Sequence, residues 1–219
     1  MKKFTVSILL FVISLSVFSQ SEPSFKKNDS LEVLIKIADS LRFENDLYQS
    51  LDYAFDAVNY AHKLENYHYL SQAYLLMGSI QYEIIDYENA KKHLLKSLEY
   101  SEKTKDKKLM PLILNSLGSL YYYDNNDYKN ALFYYKKAVE LQKYNSPSNN
   151  YQILLHNLIW TYLDLDQYDN AIPYLKEADS IDNLINITHV DRSSLYLQKH
   201  VTIHVMVKLN LQKNILTNL

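Results

Sequence analysis

"LGSLYYYDNNDYKNALFYYKKAVE", Leu117 to Glu140, sets a glycine among apolar residues that recur at helical spacing. A glycine inside a helix costs roughly 1 kcal/mol relative to alanine, so it is retained where a larger side chain would collide with a neighbour. The chain has one other glycine, Gly78 in "LMGSIQYEIIDYENAKKHLLKSLEY". Aligning it with Gly118 superimposes Tyr82 on Tyr122, Asp86-Tyr87 on Asp127-Tyr128, Ala90 on Ala131, Leu94 on Tyr135 and Ser97 on Ala138, with one extra residue in "DNN". A third copy, "LIWTYLDLDQYDNAIPYLKEAD", aligns Tyr162, Tyr168, Ala171, Leu175 and Ala178, and carries Ile159 in the glycine position.

Ala90, Ala131 and Ala171 are 41 and 40 residues apart, and a fixed period of this size indicates stacked supersecondary units. Each unit reads helix, polar turn, helix. Leu114, Leu117, Gly118 and Tyr121 mark the buried stripe of a first helix, and Ala131, Tyr134, Tyr135 and Ala138 that of a second. Gly118 and Ala131 are the small residues that let the two helices cross closely. An earlier unit, "IADSLRFENDLYQSLDYAFDAVNYAHK", is weaker: it has no glycine, and Tyr48, Leu51, Phe55 and Val58 are its expected second-helix positions.

Leu117-Gly118, Tyr121, Asp127-Tyr128, Ala131, Tyr135 and Ala138, with Met77-Gly78, Asp86-Tyr87, Ala90 and Leu94, resemble the signature of the tetratricopeptide repeat (TPR) family. The resemblance implies an all-α, right-handed superhelical solenoid of antiparallel helix pairs. The period exceeds the family's usual 34 residues and resembles its long-helix subclass, found in peptide-responsive bacterial regulators and kinesin light chains. The expected domain layout is a signal peptide at 1–19, a linker at 20–30, about four helix pairs over 31–182, and a partial fifth repeat or irregular tail at 183–219.

The signal peptide rests on "MKKFTVSILLFVISLSVFSQSEPS": Lys2 and Lys3, an apolar run from Phe4 to Phe18, and a Val17-Phe18-Ser19 triplet suited to cleavage before Gln20. The run is shorter than the ~20 residues that span a bilayer. An uncleaved N-terminal anchor is the alternative; after cleavage no membrane span is expected. The expected location is the periplasm or cell envelope of a Gram-negative bacterium. The chain contains no cysteine, which excludes disulfides and thiol chemistry.

Without Lys2 and Lys3 the 23 basic residues become 21 against 25 acidic, a formal charge of −4 with no basic stripe, so the footprint of a nucleic-acid binder is missing. Two glycines in all leave no phosphate-binding loop. His200 and His204 have the i, i+4 spacing of metal ligands, but "HVTIH" lacks the glutamate of a metalloprotease helix and no third ligand is indicated. The sequence nominates no catalytic residue, metal or cofactor, and predicts a non-enzymatic protein.

What stands out is 21 tyrosines in 219 residues. Stacked pairs curl so that the first helices line a concave wall. The family's groove positions fall on Gln72, Leu75, Ser79, Tyr82 and Glu83, then Leu112, Asn115, Ser119, Tyr122 and Tyr123, then Ile153, His156, Trp160, Leu163 and Asp164. Aromatic rings with polar tips, mixed with amides and hydroxyls, compose a protein or peptide site. The candidate ligand-binding residues are Tyr82, Asn115, Ser119, Tyr122, Tyr123, His156, Asn157 and Trp160. Asn115 and Asn157 resemble asparagines that bond a peptide backbone in long-helix relatives. The groove positions hold no lysine or arginine, so a partner's terminal carboxylate is not the expected target. Tyr87, Tyr128 and Tyr168, at consensus positions, are expected to pack between helices, while Tyr82, Tyr122, Tyr123 and Trp160 are open to either role. The expected function is a scaffold that binds protein or peptide in its groove; the alternative is the extracytoplasmic sensory part of a truncated signalling protein, of histidine kinase or transcriptional regulator type.

Overall fold

The computed structural model describes residues 27–124, 126–143 and 149–184. The signal segment, the histidine pair and the C-terminal tail lie outside them. Eight helices and no strands make up the described residues: α1 Lys27–Phe43, α2 Leu47–Lys63, α3 Tyr67–Glu83, α4 Tyr87–Thr104, α5 Leu109–Asp124, α6 Tyr128–Gln142, α7 Asn149–Asp164 and α8 Tyr168–Leu184.

The turns follow from one recurring residue. A helix end leaves orphan carbonyls and the next helix start leaves orphan N–H groups. Asp46, Asn66, Asp86 and Asp106 serve both: the backbone N–H of each closes the preceding helix on Leu41, Ala61, Gln81 and Ser101, at 2.9, 3.1, 2.8 and 3.2 Å. Their carboxylate or amide oxygens then accept from the first turn of the following helix, at Gln49, Tyr69, Asn89 and Leu109. The residue before each is left-handed, as the Schellman closure requires: Asn45, Glu65, Ile85 and Lys105 have φ of 63, 49, 66 and 54°. Asp127 does the same around the extra residue, its N–H reaching Tyr121 O at 3.0 Å and its carboxylate capping Asn130.

Successive helices pack antiparallel, and in addition the first helices of neighbouring pairs touch one another: α1 with α3, α3 with α5, α5 with α7. Among the described residues the backbones of the second helices do not approach one another in this way. The chain therefore forms a solenoid of four pairs with α1, α3, α5 and α7 on the inner wall.

The core is a strip of small and branched residues along the stack. Ala54, Ala57, Ala90, Ala131, Ala138 and Ala171 are fully buried. Where the repeat has Ser97 in place of Ala138, the helices approach closely enough for two reciprocal bonds: Ser71 Oγ donates to Ser97 O (2.8 Å) and Ser97 Oγ to Ser71 O (2.7 Å). The first pair corrects the sequence register. Ser50, Ala54 and Ala57 occupy its crossing face, whereas Tyr48 and Phe55 are exposed. Small side chains, not large ones, mark that crossing.

Both glycines are accounted for. A Cβ on Gly78 would lie 2.7 Å from Leu94 Cγ, and one on Gly118 would lie 2.5 Å from Tyr135 Cε1. Gly118 makes room for a tyrosine of the second helix, one turn beyond Ala131.

Candidate functional site

Helices α3, α5 and α7 carry the expected groove residues, and the structure gathers most of them around two adjoining pockets. One, of ≈ 140 Å³, is lined by Tyr122, Tyr123, Tyr135, Asn157 and Trp160. The other, of ≈ 170 Å³, is lined by Arg42, Ser79, Tyr82, Glu83, Leu94, Asn115, Ser116 and Ser119. His156, half-buried on α7, lines neither.

Three contacts join the pockets. Asn157 Nδ2 donates to Asn115 Oδ1 at 2.8 Å, Tyr135 OH donates to Ser119 Oγ at 3.0 Å, and the rings of Tyr82 and Tyr123 meet edge to face with centroids 6.3 Å apart. A primary amide has two N–H donors and one carbonyl. The asparagine pair, having used one donor and one acceptor between themselves, still presents an amino group on Asn115 and a carbonyl on Asn157. That combination matches the N–H and C=O of an extended peptide backbone.

The tyrosines divide by depth. Tyr123 is 60% exposed. Tyr122 and Trp160 are half-buried and lean on the core below the groove, so they belong to both. Tyr122 also donates its hydroxyl to the carboxylate of Asp164 on α7. Burial, reinforced by that carboxylate, pushes the Tyr122 hydroxyl well above its ordinary pKa. Burial raises Tyr82 to about 12, with neighbouring Tyr123, Tyr87 and Glu83 adding to the shift. Both phenols are neutral hydrogen-bonding groups at physiological pH. The consensus tyrosines support this layer: Tyr87 packs on Tyr82 (5.6 Å), Tyr128 on Tyr122 (5.1 Å), and Tyr168 is buried.

Four lining residues escaped the sequence reading: Leu94, Ser116, Tyr135 and Arg42. Tyr135 belongs to the second helix α6, yet its ring passes over Gly118 and its hydroxyl emerges beside Ser119. The available signal was a tyrosine at a position held by Leu94 and Leu175 in the other repeats. Arg42 comes from α1 and corrects the expectation of a groove without basic residues. Its Nε donates to Glu83 Oε1 at 2.9 Å and its Nη1 to Asp39 Oδ1 at 3.3 Å, so its charge is held by two carboxylates. The first repeat lacks the glycine that would have placed α1 in register.

The family profile for the tetratricopeptide repeat matches residues 71–104, 113–145 and 154–183, so the chain carries tetratricopeptide repeats. No curated protein matches the chain. Solved structures share the fold, three of them as follows. Aspartyl phosphate phosphatase F from Bacillus subtilis is 19% identical, with a TM-score of 0.70 over 84% of this chain and 50% of that one. A Rap protein complexed with competence and sporulation factor is 21% identical, TM-score 0.65, over 71% and 43%. YrrB, described as a TPR protein with an unusual peptide-binding site, is 17% identical, TM-score 0.52, over 82% and 83%. The chain thus spans half or less of the first two. Among the described residues no helix is long and apolar enough to cross a membrane.

Proposed function

We propose that this protein is a non-enzymatic scaffold of the long-helix TPR type, exported to the cell envelope of a Gram-negative bacterium, that holds a protein or peptide in its concave groove. The observation that carries the reading is the adjoining pair of pockets, in which Tyr82, Tyr122, Tyr123 and Trp160 stand around the Asn115–Asn157 pair. Rigid aromatic anchors beside a backbone-like donor and acceptor suit an extended chain. Besides Leu94 and the Arg42–Glu83 ion pair, the two pockets present rings, hydroxyls and amides, groups that suit the holding of an extended chain. The peptide-binding site of YrrB and the complexed Rap protein support a ligand-holding role for this architecture. Export is supported by Lys2, Lys3 and the apolar run to Phe18.

Capture from envelope extract by the immobilised full chain tests this, against Tyr123→Ala/Asn157→Ala. The variant is expected to lose a partner retained by the wild type while its melting temperature falls by only a few degrees, because Tyr123 is exposed and Asn157 gives up one half-buried bond to Asn115. Identical capture by both proteins would refute the groove assignment. Recovery of the uncleaved chain from the soluble cytoplasm of the native host would refute export.

A further inference from the structure

Outside the groove, the aromatic clusters of this protein come with their own cations. Lys91 Nζ lies 4.6 Å from the ring centroid of Tyr121, Lys136 5.3 Å from Tyr162, Lys96 5.0 Å from Tyr74, and Lys103 4.9 Å from Tyr100. These lie within the distance at which an ammonium is attracted to a ring face. Among the described residues, no lysine or arginine stands over Tyr122, Tyr123 or Trp160.

The same corner carries negative charge. Asp164 is exposed, one helical turn beyond Trp160 on α7, and among the described residues it has no ion pair. Glu83, the carboxylate lining the adjoining pocket, is already matched by Arg42. Tyr122 and Tyr123 stand 4.8 Å apart at 66°, so their rings form two walls of a corner instead of a flat stack. The hydroxyl of Tyr122, by donating to Asp164, leaves its ring more electron-rich and a better host for a cation.

We propose that the pocket between Tyr122, Tyr123 and Trp160 takes a lysine or arginine side chain of the peptide in the groove, with Asp164 as its counter-charge. This rests on the peptide-binding reading above and names the chemistry of its ligand. The pocket of ≈ 140 Å³, open to the groove, is of side-chain size. Apolar stem against rings and charged head toward Asp164 is how long basic side chains divide themselves between surface and water.

Trp160 is the only tryptophan in the chain, so its fluorescence reports on this pocket without a label. Four peptide pools, random except for a central lysine, arginine, norleucine or glutamate, are titrated against the purified full chain. The lysine and arginine pools should shift Trp160 fluorescence saturably at concentrations about tenfold below the norleucine pool, and the glutamate pool should act least. Asp164→Asn should shrink the preference for lysine over norleucine several-fold while leaving the norleucine response in place. A merely structural role for Asp164 would lower all responses together. If norleucine matches lysine in the wild type, or the preference survives Asp164→Asn, the cation pocket is wrong while peptide binding stands. If no pool acts, both readings fall.

Discussion

The pair α3–α4 and the pair α5–α6 have the same backbone device and different contents. Gly78 faces Leu94; Gly118 faces Tyr135. In the first pair the leucine is fully buried and brings only methyl groups to the lining of the second pocket, whereas in the second the ring continues past the glycine and delivers a hydroxyl to Ser119 in the groove. The fourth pair shows what the glycine does by lacking it. With Ile159 opposite Leu175, the backbones of α7 and α8 stay close over less of their length than those of α3 and α4. A glycine on the inner helix thus sets how near the outer helix comes, and the residue opposite decides whether the outer helix brings an apolar or a hydrogen-bonding group to the site.

The sharpest way to break this comparison is to fill the space. Gly118→Leu should lower stability by about 3 kcal/mol or more, because its side chain must displace a ring wedged between two helices. Gly118→Ala should cost more than Gly78→Ala. Both gain roughly 1 kcal/mol of helix propensity, but the Cβ at 118 meets three ring atoms at 2.5, 2.6 and 2.9 Å, whereas the one at 78 meets two atoms of Leu94 at 2.7 and 2.8 Å and the Ala90 carbonyl oxygen at 3.2 Å. Thermal melts of the four proteins check the order, and an equal cost at the two sites would show that the ring yields as easily as the leucine.

Tyr135→Leu converts the third repeat to the pattern of the second. Alone it should cost about 1–2 kcal/mol, since a well-buried ring and its bond to Ser119 are lost. In the Gly118→Ala background it should cost less, giving a coupling of about 1 kcal/mol in a double-mutant cycle. Additivity would mean that glycine and tyrosine are independent.

The turns of the two pairs differ as well. Asn126 holds the left-handed position before Asp127, but Ile85 holds it before Asp86, at φ 66° and 72% exposed. A β-branched residue there is strained by about 1–2 kcal/mol, whereas asparagine tolerates the region. Ile85→Asn should therefore raise stability by about 1 kcal/mol and the melting temperature by a few degrees. No gain would mean that the exposed isoleucine makes a compensating contact.

How much of this was readable beforehand follows from the physics of each level. The repeat, the polar turns and the inner wall were legible, because helical period, the Asp-Tyr pair and small crossing residues are local patterns that recur. Tyr82, Tyr122, Tyr123, Asn115, Ser119, Asn157 and Trp160 were brought together because they lie on the same wall of parallel inner helices. Tyr135 was not seen, because its reach depends on a space left by a residue seventeen positions earlier on another helix. Arg42 was missed because the first repeat uses Ala38 opposite Ala54, a pair that does without glycine and so leaves no mark in the alignment.

The smallest expected difference concerns protons. At one register the inner and outer helices pair Gln81 with His93, then Tyr121 with Tyr134, then Tyr162 with Tyr174. The tyrosine pairs stack at 5.4 and 5.9 Å, while His93 Nδ1 lies 2.6 Å from Gln81 Oε1 and its ring stacks on Tyr74 at 5.7 Å. Burial lowers the His93 pKa below its ordinary 6.5, with Lys96 and Lys92 pushing the same way and Asp86 opposing. As pH falls below 6.5 the unfolded chain therefore takes up this proton before the folded one. The stability linked to His93 is fully present above 6.5 and is lost as pH drops through the lowered folded value. Replacing the pair with that of the next repeat, Gln81→Tyr/His93→Tyr, removes this proton uptake. The variant's melting temperature should fall less than the wild type's between neutral and mildly acid pH, with His93→Gln as a second comparison if the double change packs poorly. Carboxylates common to all three proteins cancel in the difference, so parallel melting curves across that range would show that His93 titrates alike folded and unfolded.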